Sequence, residues 1–126
     1  MRKKLLALVL ALTFVLALGA TAFAATAFAA SGTYSGITWT TSSSCTKTKA
    51  YVCMTTNKAA ELEAYGTVSY KVTGQPGAES YVLNPYGEST TRVLGTWNAG
   101  TGRTITKLGT AYKIKGTMVY NDAIYP

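Results

Sequence analysis

The titratable side chains limit the chemistry available to this chain. None of its 126 residues is a histidine, which removes the usual general base, the commonest zinc ligand and every Ser-His or Cys-His nucleophile pair. Two of its five acidic residues, Glu61 and Glu63, would lie roughly 7 Å apart on one strand face, a separation that a glycosidase pair can use. Solvated carboxylates beside a strand are the more common arrangement. The sequence therefore predicts a protein that is not an enzyme and holds neither a metal nor a cofactor.

The two cysteines are the next residues with a distinctive chemistry. In one straight strand, Cys45 and Cys53 would be roughly 27 Å apart, whereas a disulfide needs Cα atoms within about 7 Å. A disulfide would therefore require the chain to fold back, with residues 46–50 as the tip of a hairpin. We predict this hairpin and a Cys45–Cys53 disulfide, since a redox pair usually has the spacing Cys-x-x-Cys.

Basic side chains are the main candidates for binding. Lys113 and Lys115 are expected to share one strand face, and Lys71 and Arg103 add positive charge elsewhere. These four residues are the predicted binding set, and their partner would be an anionic cell-wall polymer, a glycan or a protein. The alternative is that the cations only keep the protein soluble and protect strand edges from aggregation.

Aromatic residues could extend such a surface, because the chain has nine tyrosines and two tryptophans. Rings near turns can stack on sugars or anchor an interface, although most rings of this kind belong to a core. Basic and aromatic residues together also suit nucleic acid, but the export signal described next argues against that partner. The aromatic residues expected near turns or on outer faces are Tyr34, Trp39, Tyr65, Tyr86 and Trp97.

The first 29 residues have the pattern of a secretory signal peptide. Three cations precede an apolar run at residues 5–18, which is shorter than the roughly 20 residues that span a bilayer. The sequence TAFAA then occurs twice, at residues 21–25 and 26–30, which offers cleavage after Ala24 or after Ala29. We favour the second site, which leaves residues 30–126 as one domain without a membrane span. Retention of the leader as a membrane anchor is the alternative.

The remaining chain has the composition and periodicity of short strands. Thr, Ser, Tyr, Val and Gly dominate, and apolar residues alternate with polar ones through residues 62–73, with Leu62, Val68 and Tyr70 on the core side. Residues 57–64 are the one segment with a local helical preference, which allows a single helical turn there. The pattern predicts a small antiparallel β-sandwich or partly open barrel of about seven strands with one disulfide. Strands are expected at residues 33–41, 50–56, 62–73, 81–83, 89–97, 103–108 and 112–120, the last with a bulge at Gly116.

The functional expectation follows from compartment, size and charge. Without the three leader cations, nine cations and five acids leave a net charge of +4. The leader and the absence of Asn-x-Ser/Thr sites are typical of a bacterial protein that is exported. We expect a secreted, extracellular binding domain that contacts an anionic or glycan surface of the cell envelope. The alternative is a secreted antagonist, such as a bacteriocin-like toxin or an enzyme inhibitor.

Overall fold

The computed structural model describes residues 26–126, and all regular structure in this range is β-strand. The strands pair only antiparallel and form one nearly closed, barrel-like sheet. The predicted all-β fold with about seven strands is therefore confirmed. Residues 1–25, which hold most of the predicted leader, lie outside the described range. The strands are β1 (Thr26–Tyr34), β2 (Ile37–Cys45), β3 (Lys49–Val72), β4 (Glu79–Leu83), β5 (Tyr86–Asn98), β6 (Arg103–Ile114) and β7 (Thr117–Ile124).

Strand β3 organises the sheet because it is 24 residues long and bends back on itself. A straight strand of that length would span about 80 Å. Instead, its pairing with β5 shifts register between Thr55 and Leu62, and the strand turns a corner there. The first half of β3 pairs with β2 and β5, and the second half pairs with β6 and β4, while β5 continues past the corner as far as Glu63. Residues 57–64 are the segment with a local helical preference, but in the structure they are extended and belong to this strand.

The bend brings both ends of β3 to one end of the molecule, which we call the turn end. It carries the three turns at residues 46–48, 73–78 and 99–102. Three backbone hydrogen bonds tie these turns to one another and to β6. The amides of Ala99, Ile105 and Thr73 donate to the carbonyl oxygens of Thr48, Lys47 and Gly102, each over 2.8 Å.

The opposite end, which we call the bend end, carries the corner of β3 and the two tightest turns. The amide of Thr38, in β2, donates to Oδ1 of Asn57 at the corner over 2.9 Å. The amide of Lys115, after β6, donates to the carbonyl oxygen of Glu61 over 2.9 Å. The strands β1 and β7 also meet here, because the Tyr34 hydroxyl donates to Oγ1 of Thr117 over 3.1 Å.

The barrel interior follows the predicted alternation. In the second half of β3, Leu62, Ala64 and Val68 are fully buried, and Tyr70 is 8% exposed, so the predicted core face is confirmed. Aromatic rings extend this core in a row, with Trp39, Tyr120 and Tyr112 separated by centroid distances of 6.1 and 6.3 Å. No buried side-chain nitrogen or oxygen within residues 26–126 lacks a hydrogen-bond partner.

One buried hydroxyl contact links the two sides of the barrel. The hydroxyl groups of Ser43, in β2, and Tyr112, in β6, hydrogen-bond to each other in the core. Burial raises the pKa of Tyr112 to about 12, because the phenolate would have to be desolvated.

Two predicted strands are each divided by a tight turn, so those predictions were wrong in their bounds. Ser35 and Gly36 have φ values of 49° and 77°, and Lys115 and Gly116 have φ values of 51° and 78°. Consecutive positive φ values make the two-residue type I′ turn that reverses a hairpin. Residues 33–41 therefore contribute to β1 and β2, and residues 112–120 contribute to β6 and β7. Gly116 is a turn residue rather than a bulge.

The predicted hairpin between the cysteines is present, but the predicted disulfide is not. In the β2–β3 ladder Cys45 stands opposite Ala50, and Cys53 stands opposite Ser42. The two cysteines are thus three positions out of register, and an odd offset places their side chains on opposite faces of the sheet. Both are free and buried, and burial raises the pKa of Cys45 to about 11.

Candidate functional site

Three aromatic rings close the gap between β4 and β5 at the turn end. The rings of Tyr81 and Trp97 stack with centroids 5.0 Å apart and an interplanar angle of 14°. Trp97 also contacts Tyr70, again with a centroid distance of 5.0 Å, at 43°. We call these three residues the aromatic seam. It reaches the surface through Tyr81, which is 44% exposed, whereas Trp97 is half-buried and Tyr70 is buried.

The strand register explains why these rings meet. Tyr81 stands opposite Val68, and Trp97 stands opposite Ala50. Both partners are fully buried on the core side of β3. Cross-strand partners share one face of a sheet, so both rings leave their strands on the core-facing side. Because β4 and the part of β5 that carries Trp97 lie beside different halves of the bent β3, the bend sets the rings face to face.

A cation and a carboxylate flank the innermost ring. The guanidinium carbon of Arg103 lies 5.6 Å from the centroid of Tyr70, within the range of a cation–π contact. Arg103 also donates from Nη1 to the carbonyl oxygen of Ala99 over 3.5 Å. The Tyr70 hydroxyl donates to Oε2 of Glu79 over 3.0 Å, and this hydrogen bond raises the pKa of Tyr70. Arg103 is itself exposed, so its positive charge faces solvent beside the seam.

The turn end is basic as well as aromatic. Lys47 lies in the turn between β2 and β3, Lys49 begins β3, and Lys71 lies near the end of β3. All three are exposed, and Arg103 begins β6 at the same end. Glu79, the partner of the Tyr70 hydroxyl, is acidic, so these five side chains together carry a net charge of +3.

The predicted binding set is divided between the two ends of the molecule. Lys71 and Arg103 lie at the turn end, next to the aromatic seam. Lys113 and Lys115 lie at the bend end, about 35 Å further along β6 at 3.3 Å per residue. Lys113 stands opposite Glu63, and Lys115 lies in the type I′ turn rather than on the strand face expected for it.

The acidic residues considered for catalysis also lie at the bend end, on open surface. Glu61 is exposed and Glu63 is half-buried, and both approach Tyr86, which is 50% exposed. Partial burial is the main cause that raises the pKa of Tyr86. The nearby negative charges of Glu61, Glu88 and Glu63 raise it further. A glycosidase acid requires a carboxyl group withdrawn from water, whereas Glu61 is exposed and Glu63 is only half-buried. Across residues 26–126, no group of three or more His, Cys, Asp or Glu side chains could hold a metal ion.

Other predicted surface residues have different surroundings. Trp39 is a core residue with 7% exposure, and Tyr34 is half-buried at the bend end. Tyr65 is 37% exposed on the outer face of β3, away from the seam. Trp97 is therefore the one member of the predicted aromatic set that the turn end brings together with cations.

Sequence reasoning missed the part that Tyr81 and Tyr70 play in the seam. Tyr70 follows the core alternation of β3, which hides its contact with Arg103. Tyr81 lies in a five-residue strand after a Gly/Pro-rich turn, a segment too short to show a face. Only the pairing of both β4 and β5 with β3 places these rings beside Trp97.

Comparison with protein-family models, curated proteins and solved structures gives no significant match to this chain. The described range also contains no helix long and apolar enough to cross a membrane. The fold and site define a small all-β protein with a basic, aromatic end.

Proposed function

We propose that this chain is a secreted, non-enzymatic binding domain that holds an anionic glycan of the cell envelope at its turn end. The observation that carries the proposal is the position of the aromatic seam. A stacked pair of rings reaches the surface at the turn end of the barrel, where four cationic side chains and the carboxylate of Glu79 are located. Sugar rings and negative charge are the two features that such a surface recognises.

The stacked pair supports the sugar contact. One face of the Tyr81 ring lies on Trp97, which fixes the orientation of the ring, and the 44% exposure of Tyr81 leaves it accessible. An aromatic side chain held in this way loses little conformational entropy when a ligand binds. The apolar face of a pyranose ring can then lie flat on it, as in aromatic recognition generally.

The cations supply attraction for the charged groups of the polymer. Lys47, Lys49 and Lys71 are long, exposed side chains that can follow carboxylates or phosphates along a flexible chain. At an anionic surface each such cation contributes about 1 kcal/mol, so removing two should weaken binding by about 30-fold at low salt. The bend end, where Glu61 and Glu63 accompany Lys113 and Lys115, should attract polyanions less strongly.

The test is retention of the purified protein on whole bacterial cells and isolated cell walls across a salt series. The double variant K47Q/K49Q should lose about 30-fold in affinity, with a shallower salt dependence. Its matched control is K113Q/K115Q, which removes the same charge from the bend end and should bind almost as wild type. An equal loss in both double variants would show attraction by net charge alone and would overturn the proposed site.

A second pair of variants tests the aromatic contact. Y81A removes the exposed ring and should weaken binding by about 2- to 12-fold, whereas Y81F keeps the ring and should bind as wild type. If no variant and no salt concentration gives retention on cell walls, the proposal fails. Growth inhibition of neighbouring strains by the purified protein would then favour the antagonist alternative.

A further inference from the structure

The two copies of TAFAA in the sequence have different relations to the fold. The second copy, residues 26–30, forms the first half of β1 and pairs with β2 from Thr26 opposite Cys45 through Ala30 opposite Thr41. The first copy, residues 21–25, precedes the strand. Both copies contain the same Ala-x-Ala cleavage pattern, so the local sequence does not distinguish them.

Cleavage after Ala29 would remove four paired residues from β1. The backbone groups of residues 42–45 that face β1 would lose their partners, and this part of β2 would become a free sheet edge. Two residues in that stretch, Ser43 and Cys45, are buried, and Ser43 holds the core hydrogen bond to Tyr112. Phe28, which stands opposite Ser43 and is 42% exposed, would be lost as well.

We propose that a host signal peptidase cleaves this chain after Ala24, so that the mature protein begins at Ala25 and keeps all of β1. Water hydrolyses the Ala24–Ala25 peptide bond, and the products are the Ala24 carboxylate and the Ala25 α-amino group. The first copy of TAFAA is thus the processing site, and the second is a structural strand. This choice reverses the preference for Ala29 drawn from the sequence, because cleavage there would remove paired residues of β1.

The mature N-terminus would lie close to the start of β1. Ala25 immediately precedes Thr26, and Thr26 stands opposite Cys45, two residues before Lys47 in the turn end. Cleavage after Ala24 would therefore leave the new chain end one residue before β1, whose first residue is paired near the turn end. Cleavage after Ala29 would start the chain at Ala30, which is five residues later and lies inside β1.

The first experiment is the intact mass of the protein released by a secreting bacterial host that expresses the full chain. The expected product is 25–126, and a product of 30–126 overturns the inference while leaving the proposed export intact. Recovery of only uncleaved chain overturns both the export and this inference.

Two matched substitutions locate the processing site independently. A24D should block the first site, and so the precursor should accumulate or a product of 30–126 should appear. A29D alters the second copy at a position opposite the exposed Ser42, and its product should remain 25–126. Loss of processing in A29D with normal processing in A24D would contradict the inference.

A third measurement tests the structural reason without export. Chains 25–126 and 30–126, produced without the leader, are compared by thermal unfolding. The shorter chain should melt at least about 5 °C lower, because it lacks the backbone pairing of residues 26–29 with β2. Equal melting temperatures would remove the reason for preferring Ala24 and would count against the inference.

Discussion

Replacing Gly32 with alanine tests how tightly the barrel is packed around Trp39. These two residues are cross-strand partners in β1 and β2. A Cβ atom at position 32 would approach Cζ2 of Trp39 to 2.6 Å and Cε2 to 2.9 Å. Because non-bonded carbon atoms prefer about 3.5–4.0 Å, the indole would have to move by about 1 Å.

The surroundings of the indole make that movement costly. Trp39 is 7% exposed, and its ring lies 6.1 Å from Tyr120, which stacks on Tyr112. Overpacking of this kind costs about 1–3 kcal/mol, and the reduced freedom of the unfolded chain offsets about 0.4–1 kcal/mol of it. The net loss is about 1.3 kcal/mol, the midpoint of a range from about 0 to about 2.6 kcal/mol, and it should lower the melting temperature of a domain of this size by about 5–10 °C.

The assay is thermal unfolding followed by circular dichroism, with G109A as the matched control. Gly109 is also a strand glycine, but a Cβ there would meet only the carbonyl oxygen of Thr67, at 3.9 Å. G109A should therefore melt at the wild-type temperature or slightly above it. If G32A and G109A melt at the same temperature, the indole is not packed against Gly32 as described and the reasoning is refuted.

Three further predictions concern the thiols, the buried tyrosine and the turns. Cys45 and Cys53 should both react with a thiol reagent after unfolding, and a reductant should leave the melting temperature unchanged. A melting temperature that changes with reductant would instead indicate a disulfide. The pKa of Tyr112 is raised in the folded state, so its contribution to stability is complete below pH 10 and is lost as pH rises through about 12. This loss amounts to about 2–3 kcal/mol, and Y112F should show a correspondingly weaker decrease in unfolding free energy over that interval. S35N should raise the unfolding free energy by a few tenths of a kcal/mol up to about 1 kcal/mol, because asparagine tolerates the positive φ of a type I′ turn better than serine. A denaturant titration in which S35N is less stable than wild type would contradict it.

The alternation of apolar and polar residues made much of the fold predictable. The core face of β3 from Leu62 onward could be assigned from a period of two, because neighbouring residues in a strand point to opposite faces. The hairpin between Cys45 and Cys53 was also predictable as a reversal of the chain. Its register was not, because a shift of one residue exchanges the two faces and leaves the local composition unchanged.

The candidate site was less accessible to sequence reasoning. Lys71, Arg103 and Trp97 were identified as surface candidates, but the same reasoning grouped Lys71 and Arg103 with Lys113 and Lys115. Distance along the chain says nothing about which end of a barrel a residue occupies. The type I′ turn at Lys115 is the local feature that separates it from the β6 face, and the dipeptides at residues 35–36 and 115–116 are the signal that would have shown both turns.

The sequence by itself determined the residue types: no histidine for catalysis, an excess of cations, many aromatic rings, and strands with one apolar face. These follow from composition and from a periodicity of two residues, which are local properties. The tertiary structure decided which of these residues meet. The bend in β3 brings its two ends together, so that residues about 20 positions apart in one strand reach the same end of the barrel. Pairing with β4 and β5 then sets Tyr81 against Trp97, and the odd offset in the β2–β3 register keeps the two cysteines apart.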